Sequence, residues 1–251
     1  MSSPESECDV LIHRLAPCQI SNTYRGKMVR FIEEALRQAG LVDARLQGSG
    51  SNTSRTYLPL SDIDLVIPEV GGRGDLQCLL SVFQALCGEV AAAEQRLSDT
   101  LDPHALQQQQ PFCIRNLEFI NARTKVLHLL VNNIGVDITV NQPVAVQAAA
   151  YIDRCDALLG CEHLLKRSLL LIKCWCLHES SRLGARVCII DSKRGFLSSY
   201  AVCTLVLHLF NTHARLDHPL TVLRAFLYAF SEKVWGYTAL SAHPSLQVPT
   251  D

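Results

Sequence analysis

The chain has 251 residues, 48% of them hydrophobic and 19% charged, with a formal net charge of −1. This composition excludes a disordered chain and gives no overall basic field of the kind that drives nonspecific nucleic-acid binding. The length suits one large domain or two smaller ones. Eleven cysteines without a single C-x-x-C pair argue against zinc and for reduced thiols inside a cell, in nucleus or cytoplasm. The first residues lack the basic and apolar regions of a signal peptide, and no uncharged run of spanning length is read, so no membrane association is expected.

In chain order, residues 1–25 with Pro4 and Pro17 read as a lead-in, and residues 26–40 as an amphipathic helix ended by Gly40. A strand near residues 44–47 leads to a turn at Gly50-Ser51, and a returning strand carries Asp62 and Asp64. Residues 76–97 read as a helix and 98–111, with four consecutive glutamines, as a loop. Strands follow at 112–121, 124–131 and 134–141. The last alternates Ile134, Val136, Ile138 and Val140 on one face with Gly135, Asp137, Thr139 and Asn141 on the other. Beyond residue 143 the period turns helical, at 145–158, 162–180, 197–213 and 219–231. Strands first and helices later imply two segregated regions.

Asp62 and Asp64 are one residue apart on a strand and share a face, while Ile63, Leu65 and Ile67 face a core. Two carboxylates this close repel unless a cation lies between them, and Mg²⁺ favours such oxygen ligands. Backbone amides and a hydroxyl at Gly50-Ser51 suit a phosphate. Gly48-Ser49 is a second Gly-Ser pair, two residues too far from Asp62. If the strand of Asp137 neighbours that of Asp62 and Asp64, the carboxylates converge as two-metal phosphoryl chemistry requires, with Asp62 and Asp64 bridging both ions and Asp137 binding one. Taken singly these residues mean little: an isolated Asp-x-Asp sits commonly on a solvent face, a mid-helix Lys173 is usually solvated, and Tyr200 and Trp175 suit a core. His128 reads as a strand-face histidine rather than a base.

Residues 50–67 resemble the signature of the DNA-polymerase-β-like nucleotidyltransferase superfamily. Arg55-Thr-Tyr-Leu-Pro through Asp-Ile-Asp64 is similar to the noncanonical poly(A) polymerases and terminal nucleotidyltransferases, including plant and algal members. The likeness continues in Val136-Asp-Ile-Thr-Val-Asn-Gln142, in residues 166–185, and in Gly195-Phe-Leu-Ser-Ser-Tyr-Ala201, which resembles a helix start in the poly(A)-polymerase/oligoadenylate-synthetase-like substrate-binding domain. It covers residues 10–240 with its segments in order.

The resemblance implies an α+β protein of two lobes with the site in a cleft between them: a nucleotidyltransferase mixed sheet with flanking helices at 26–143, and a helical lobe at 144–251 with 1–25. It implies that Asp62, Asp64 and Asp137 bind Mg²⁺ or Mn²⁺. Gly50, Ser51, Lys173 and Ser199 would hold the triphosphate of an NTP, with ATP first and UTP second, and Tyr200 would stack on the base. The acceptor would be an RNA 3′ end, as in mRNA polyadenylation, with RNA-binding proteins as partners and the oligomeric state open. Leu177 stands where some relatives carry a second lysine, and residues 186–194 form an insertion. The chain stops at Asp251 without the segment that in relatives reads the base, so that either the lobe is truncated or base recognition is altered or lost. An NTP- or RNA-binding relative with impaired catalysis and a small-molecule nucleotidyltransferase are the alternatives.

Overall fold

A computed structural model describes residues 3–41, 45–68, 74–99, 112–182, 188–213 and 215–231, with backbone alone for 93–99 and 193. Two compact units emerge: residues 17–151, and residues 1–16 together with 152–251. The divisions fall at 16/17 and 151/152, against the 25/26 and 143/144 that the resemblance implied.

The first of these, the sheet unit, opens with α2 (Gln19–Gln38). This helix starts well before residue 26 because the chain remains helical through Gly26, with Arg25 and Met28 buried on either side of it. It stops where Gly40 adopts φ +85° and the amides of Gly40 and Leu41 reach back to the carbonyls of Arg37 and Leu36, a Schellman closure. There follow β1 (Gln47–Ser49), the single turn α3 (Gly50–Thr53), β2 (Ile63–Ile67), α4 (Asp75–Asp99), β3 (Ile114–Ile120), β4 (Val126–Val131) and β5 (Ile134–Val140). The strand expected at 44–47 lies later, at β1, and the expected loop at 98–111 falls mostly outside the described residues.

The sheet has the order β1-β2-β5-β4-β3. Its β2–β5 pair is parallel and the other pairs are antiparallel. A two-residue turn joins β4 to β5, with Asn132 at φ +47° and Asn133 at φ +66°, the backbone of a type I′ hairpin. One sheet face buries Ile63, Leu65, Leu127, Leu129, Val136 and Ile138 against Met28, Ile32 and Leu36 of α2 and Leu79, Val82 and Leu86 of α4. Within α4, Asp75–Ala92 is long and apolar enough to cross a membrane by length and composition. Its buried stripe packs into the sheet core, so it is the core helix of this unit.

The helical unit comprises α1 (Pro4–Leu15), α6 (Leu164–Arg182), α7 (Ser199–Thr212) and α8 (Pro219–Ser231), and the unit division falls within α5 (Pro143–Leu159). Leu165, Leu169, Ile172 and Cys176 of α6 pack with Val202, Val206 and Leu209 of α7 and with Val222 and Phe226 of α8. Burial pushes the Cys176 thiol up to about 12, which marks it as core filler. The expected lead-in contains a helix that joins this unit: Cys8 and Ile12 of α1 pack on Leu171. Before α6, Gly160, Cys161, Glu162 and His163 all have positive φ. The buried Asp156 secures this turn by accepting from the Lys166 amide at 3.2 Å and pairing with His163 Nδ1 at 2.7 Å.

Candidate active site

The strand registers place one polar row across the whole sheet. Ser49 of β1 lies opposite Asp64 of β2, Asp64 opposite Asp137 of β5, Asp137 opposite His128 of β4, and His128 opposite Glu118 of β3. Paired residues share a face, and this face is the one turned away from the α2/α4 core. Asp62 precedes β2 and by the two-residue period projects to the same side as Asp64. The expected neighbourhood of the two aspartate-bearing strands is therefore present, with Asp64 and Asp137 side by side.

Each carboxylate has its own seat. Gly50, at φ +60°, lies so close to Asp64 that a Cβ there would overlap its Oδ2. A Cβ on Gly135 would likewise overlap Asp62 Oδ1. Asp137 Oδ1 lies 2.6 Å from His128 Nδ1. Convergence is consequently one of backbone register. Among the described residues, no three His, Cys, Asp or Glu side chains already surround a common metal position. Like-charged carboxylates on adjacent rungs gain from separate partners when no cation lies between them. The donor set, oxygen atoms on one rigid face beside two glycines, fits a hard divalent cation.

The segment from Gly50 to Asp62 is held by its own polar groups. Ser54 Oγ donates to the Gly50 carbonyl at 3.2 Å and pairs with Thr56 Oγ1 at 3.0 Å, while the Thr56 amide reaches the Ser51 carbonyl at 2.9 Å. Arg25 of α2, almost fully buried, donates to the Pro59 and Ser61 carbonyls at 3.2 and 2.8 Å and stacks over the Tyr57 ring at 4.2 Å. Tyr57 in turn donates to Asn22 Oδ1 at 2.8 Å. Burial pushes the Arg25 pKa down, against the pull of Tyr57 and of Asp62. Arg25 thus ties the loop entering Asp62 to the helix below, and its Nη1 is buried without a hydrogen-bond partner. No motif flagged it, because its partners are backbone carbonyls more than thirty residues away.

Lys173, Ser199 and Tyr200 belong to the helical unit. Lys173 is buried, not solvated as an average mid-helix lysine is. Burial raises the Cys203 thiol while the charge of Lys173 lowers it, so the ammonium lies within electrostatic reach of α7 one turn beyond Ser199 and Tyr200. Ser198, not Ser199, caps α7, accepting from the Ala201 amide at 3.0 Å. Ser199 and Tyr200 are exposed on its first turn, and Tyr200, at 60% exposure, is no core residue. Leu177 is exposed, as are Arg55 and Phe196. Trp175 packs partly buried against the helical core.

Residues 159–249 match the family model of the PAP/OAS1 substrate-binding domain. No curated protein sequence matches the chain. Solved structures share its fold. The Cid1 poly(U) polymerase bound to MgGTP superposes with TM-score 0.61 at 19% identity over 82% of this chain and 55% of its own. Cid1 with the UTP analogue UMPNPP gives 0.58 at 18% identity, over 82% and 53%. A cytoplasmic RNA terminal U-transferase gives 0.56 at 19% identity, over 82% and 52%. The chain therefore has the fold of these solved structures, α+β as the sequence implied. The chain spans about half the length of these structural relatives.

Proposed function

We propose that the chain is a template-independent RNA 3′-terminal nucleotidyltransferase. It transfers a nucleoside monophosphate from an NTP to an RNA 3′-hydroxyl and releases pyrophosphate. The observation that carries this reading is the parallel register of Asp64 with Asp137, with Asp62 on the same side two residues earlier.

Asp62 and Asp64 are proposed to hold two divalent ions, Mg²⁺ or Mn²⁺, and Asp137 the one nearer the acceptor. When bound, such ions activate the acceptor hydroxyl and neutralise charge on the leaving pyrophosphate. Gly50 and Ser51 are proposed to contact the β- and γ-phosphates. The buried Lys173 and the exposed Ser199 are proposed to hold the triphosphate, and Tyr200 to stack on the base, a contact worth about 1–3 kcal/mol. The chain's own residues thus position reactants and shape charge, which is where phosphoryl-transfer enzymes derive most of their rate.

The test is extension of a labelled oligo(A) primer with each NTP separately, in Mg²⁺ or Mn²⁺. A ladder with one NTP supports the reading and names the base. ATP is the first nucleotide to try, and the uridylyl-transferring names of the structural relatives give UTP equal standing in the assay. Asp62→Ala is expected to abolish incorporation while the far-ultraviolet circular dichroism spectrum is unchanged. Transfer retained in that variant sinks the assignment.

A further inference from the structure

We infer that His128 is a positioning residue for Asp137, holding one of its carboxylate oxygens so that the other is presented to a divalent cation. The inference rests on the reading of Asp137 as a ligand, and nothing else in the proposed mechanism uses His128.

Three observations carry it. The two residues are direct register partners on β4 and β5, and the two-residue turn at Asn132 and Asn133 leaves that register no slack. Val131 pairs with Ile134 at the turn, and His128 and Asp137 pair at equal remove from it. The side chains meet at 2.6 Å between Nδ1 and Oδ1, a short charge-assisted distance. A carboxylate oxygen only accepts, so Nδ1 carries the proton and donates. Both side chains are about four-fifths shielded from solvent, so water competes weakly for the bond.

The consequence is geometric. A strand aspartate has a broad terminal torsion, and an unrestrained carboxylate beside Asp64 turns away from a like charge. Fixing Oδ1 to the next strand selects one orientation and leaves Oδ2 outside this hydrogen bond. Hydrogen-bonded carboxylate ligands are a recurrent outer layer of metal sites, and losing such a partner typically costs about 10–100-fold in metal affinity or activity.

The experiment is Mn²⁺ titration of the full chain by electron paramagnetic resonance, with an NTP analogue non-cleavable at the α–β bridge. Wild type, His128→Leu and His128→Asn are compared, and thermal midpoints are recorded alongside. Asn places an amide nitrogen near the position of Nδ1, whereas Leu keeps bulk without a donor. Weakening of Mn²⁺ binding by about 10-fold or more in the Leu variant, with recovery in the Asn variant at similar thermal midpoints, supports the inference. Wild-type affinity in the Leu variant overturns it and leaves the nucleotidyltransfer reading intact, as does a folded Asn variant that recovers nothing. If the Leu variant does not fold, His128→Phe, which keeps a ring on the strand without a donor, replaces it with the same expectations. No Mn²⁺ binding by wild type with any NTP analogue overturns the functional reading itself.

Discussion

Two glycines test the site more finely than the carboxylates do. At Gly135 the backbone is ordinary, and the nearest obstacle to a side chain is the Asp62 carboxylate. Gly135→Ala is therefore expected to cut nucleotide incorporation by at least about 10-fold through ligand displacement, by analogy with lost metal-site partners, with little change in a urea unfolding midpoint. At Gly50 the overlap with Asp64 is compounded by a left-handed φ. Gly50→Ala should thus lose both activity and about 1–2 kcal/mol of stability in the same titration. Equal stability losses in the two variants would contradict this division. The aspartates themselves were legible in the sequence because a strand's period of two puts Asp62 and Asp64 on one face whatever they pair with. Their seats were not legible. That Gly135 faces Asp62, or His128 faces Asp137, depends on inter-strand register, which no local pattern carries. Arg25 was hidden for the same reason, since it binds backbone carbonyls and backbone carbonyls leave no mark in a sequence.

Among elements, α2 does two jobs. Its apolar stripe of Met28, Ile32 and Leu36 covers the sheet, and its first turns present Arg25, Asn22 and Ser21 to the loop before Asp62. Arg25→Met removes a buried cation from two carbonyls and a tyrosine ring. Hydrogen bonds to charged groups contribute about 1.5–3 kcal/mol each, so a loss of roughly 2–4 kcal/mol is expected in denaturant unfolding. Primer extension should fall further than that stability loss explains, because the displaced loop carries Asp62; incorporation per folded molecule equal to wild type would count against the positioning of that loop by Arg25. The helix start was misread at Gly26 because glycine punctuates sequences more often than helices, whereas here tertiary burial of Arg25 and Met28 outweighs its weak propensity. Strand β5 was legible to within a residue, since its clean alternation reflects one buried and one open face. Helix α1 was not, having only Cys8 and Ile12 buried, both in a cluster with Leu171, far along the chain.

At the scale of the molecule, each unit has its own core, and the helical unit is sewn together from both chain ends. Arg167 pairs with Asp9 at 2.5 Å, and His218 lies 3.2 Å from the same carboxylate, so α1 is tied to α6 and to the entry of α8. Ile12→Ala, a large-to-small change at a buried site, should cost about 2–4 kcal/mol. In scanning calorimetry the loss is expected in the transition of the helical unit, with the sheet unit's transition in place; a single cooperative transition moving as a whole would show that the two cores unfold together. The order of strands first and helices later was readable from periodicity. Residues 1–16 join the helices, and the expected boundary after residue 25 lies inside what is one continuous α2.

The parallel pairing of β2 with β5 also sets a schedule for synthesis. Asp62 and Asp64 leave a ribosome well before Asp137, with α4, β3 and β4 translated in between. At typical elongation rates of about 5–20 residues per second that interval is roughly 4–15 s. During it the first two aspartates exist on a nascent chain without the central strand they pair with. A half-made chain of this topology therefore has no completed carboxylate row, and the row closes only once the last strand of the sheet has emerged and docked between its neighbours.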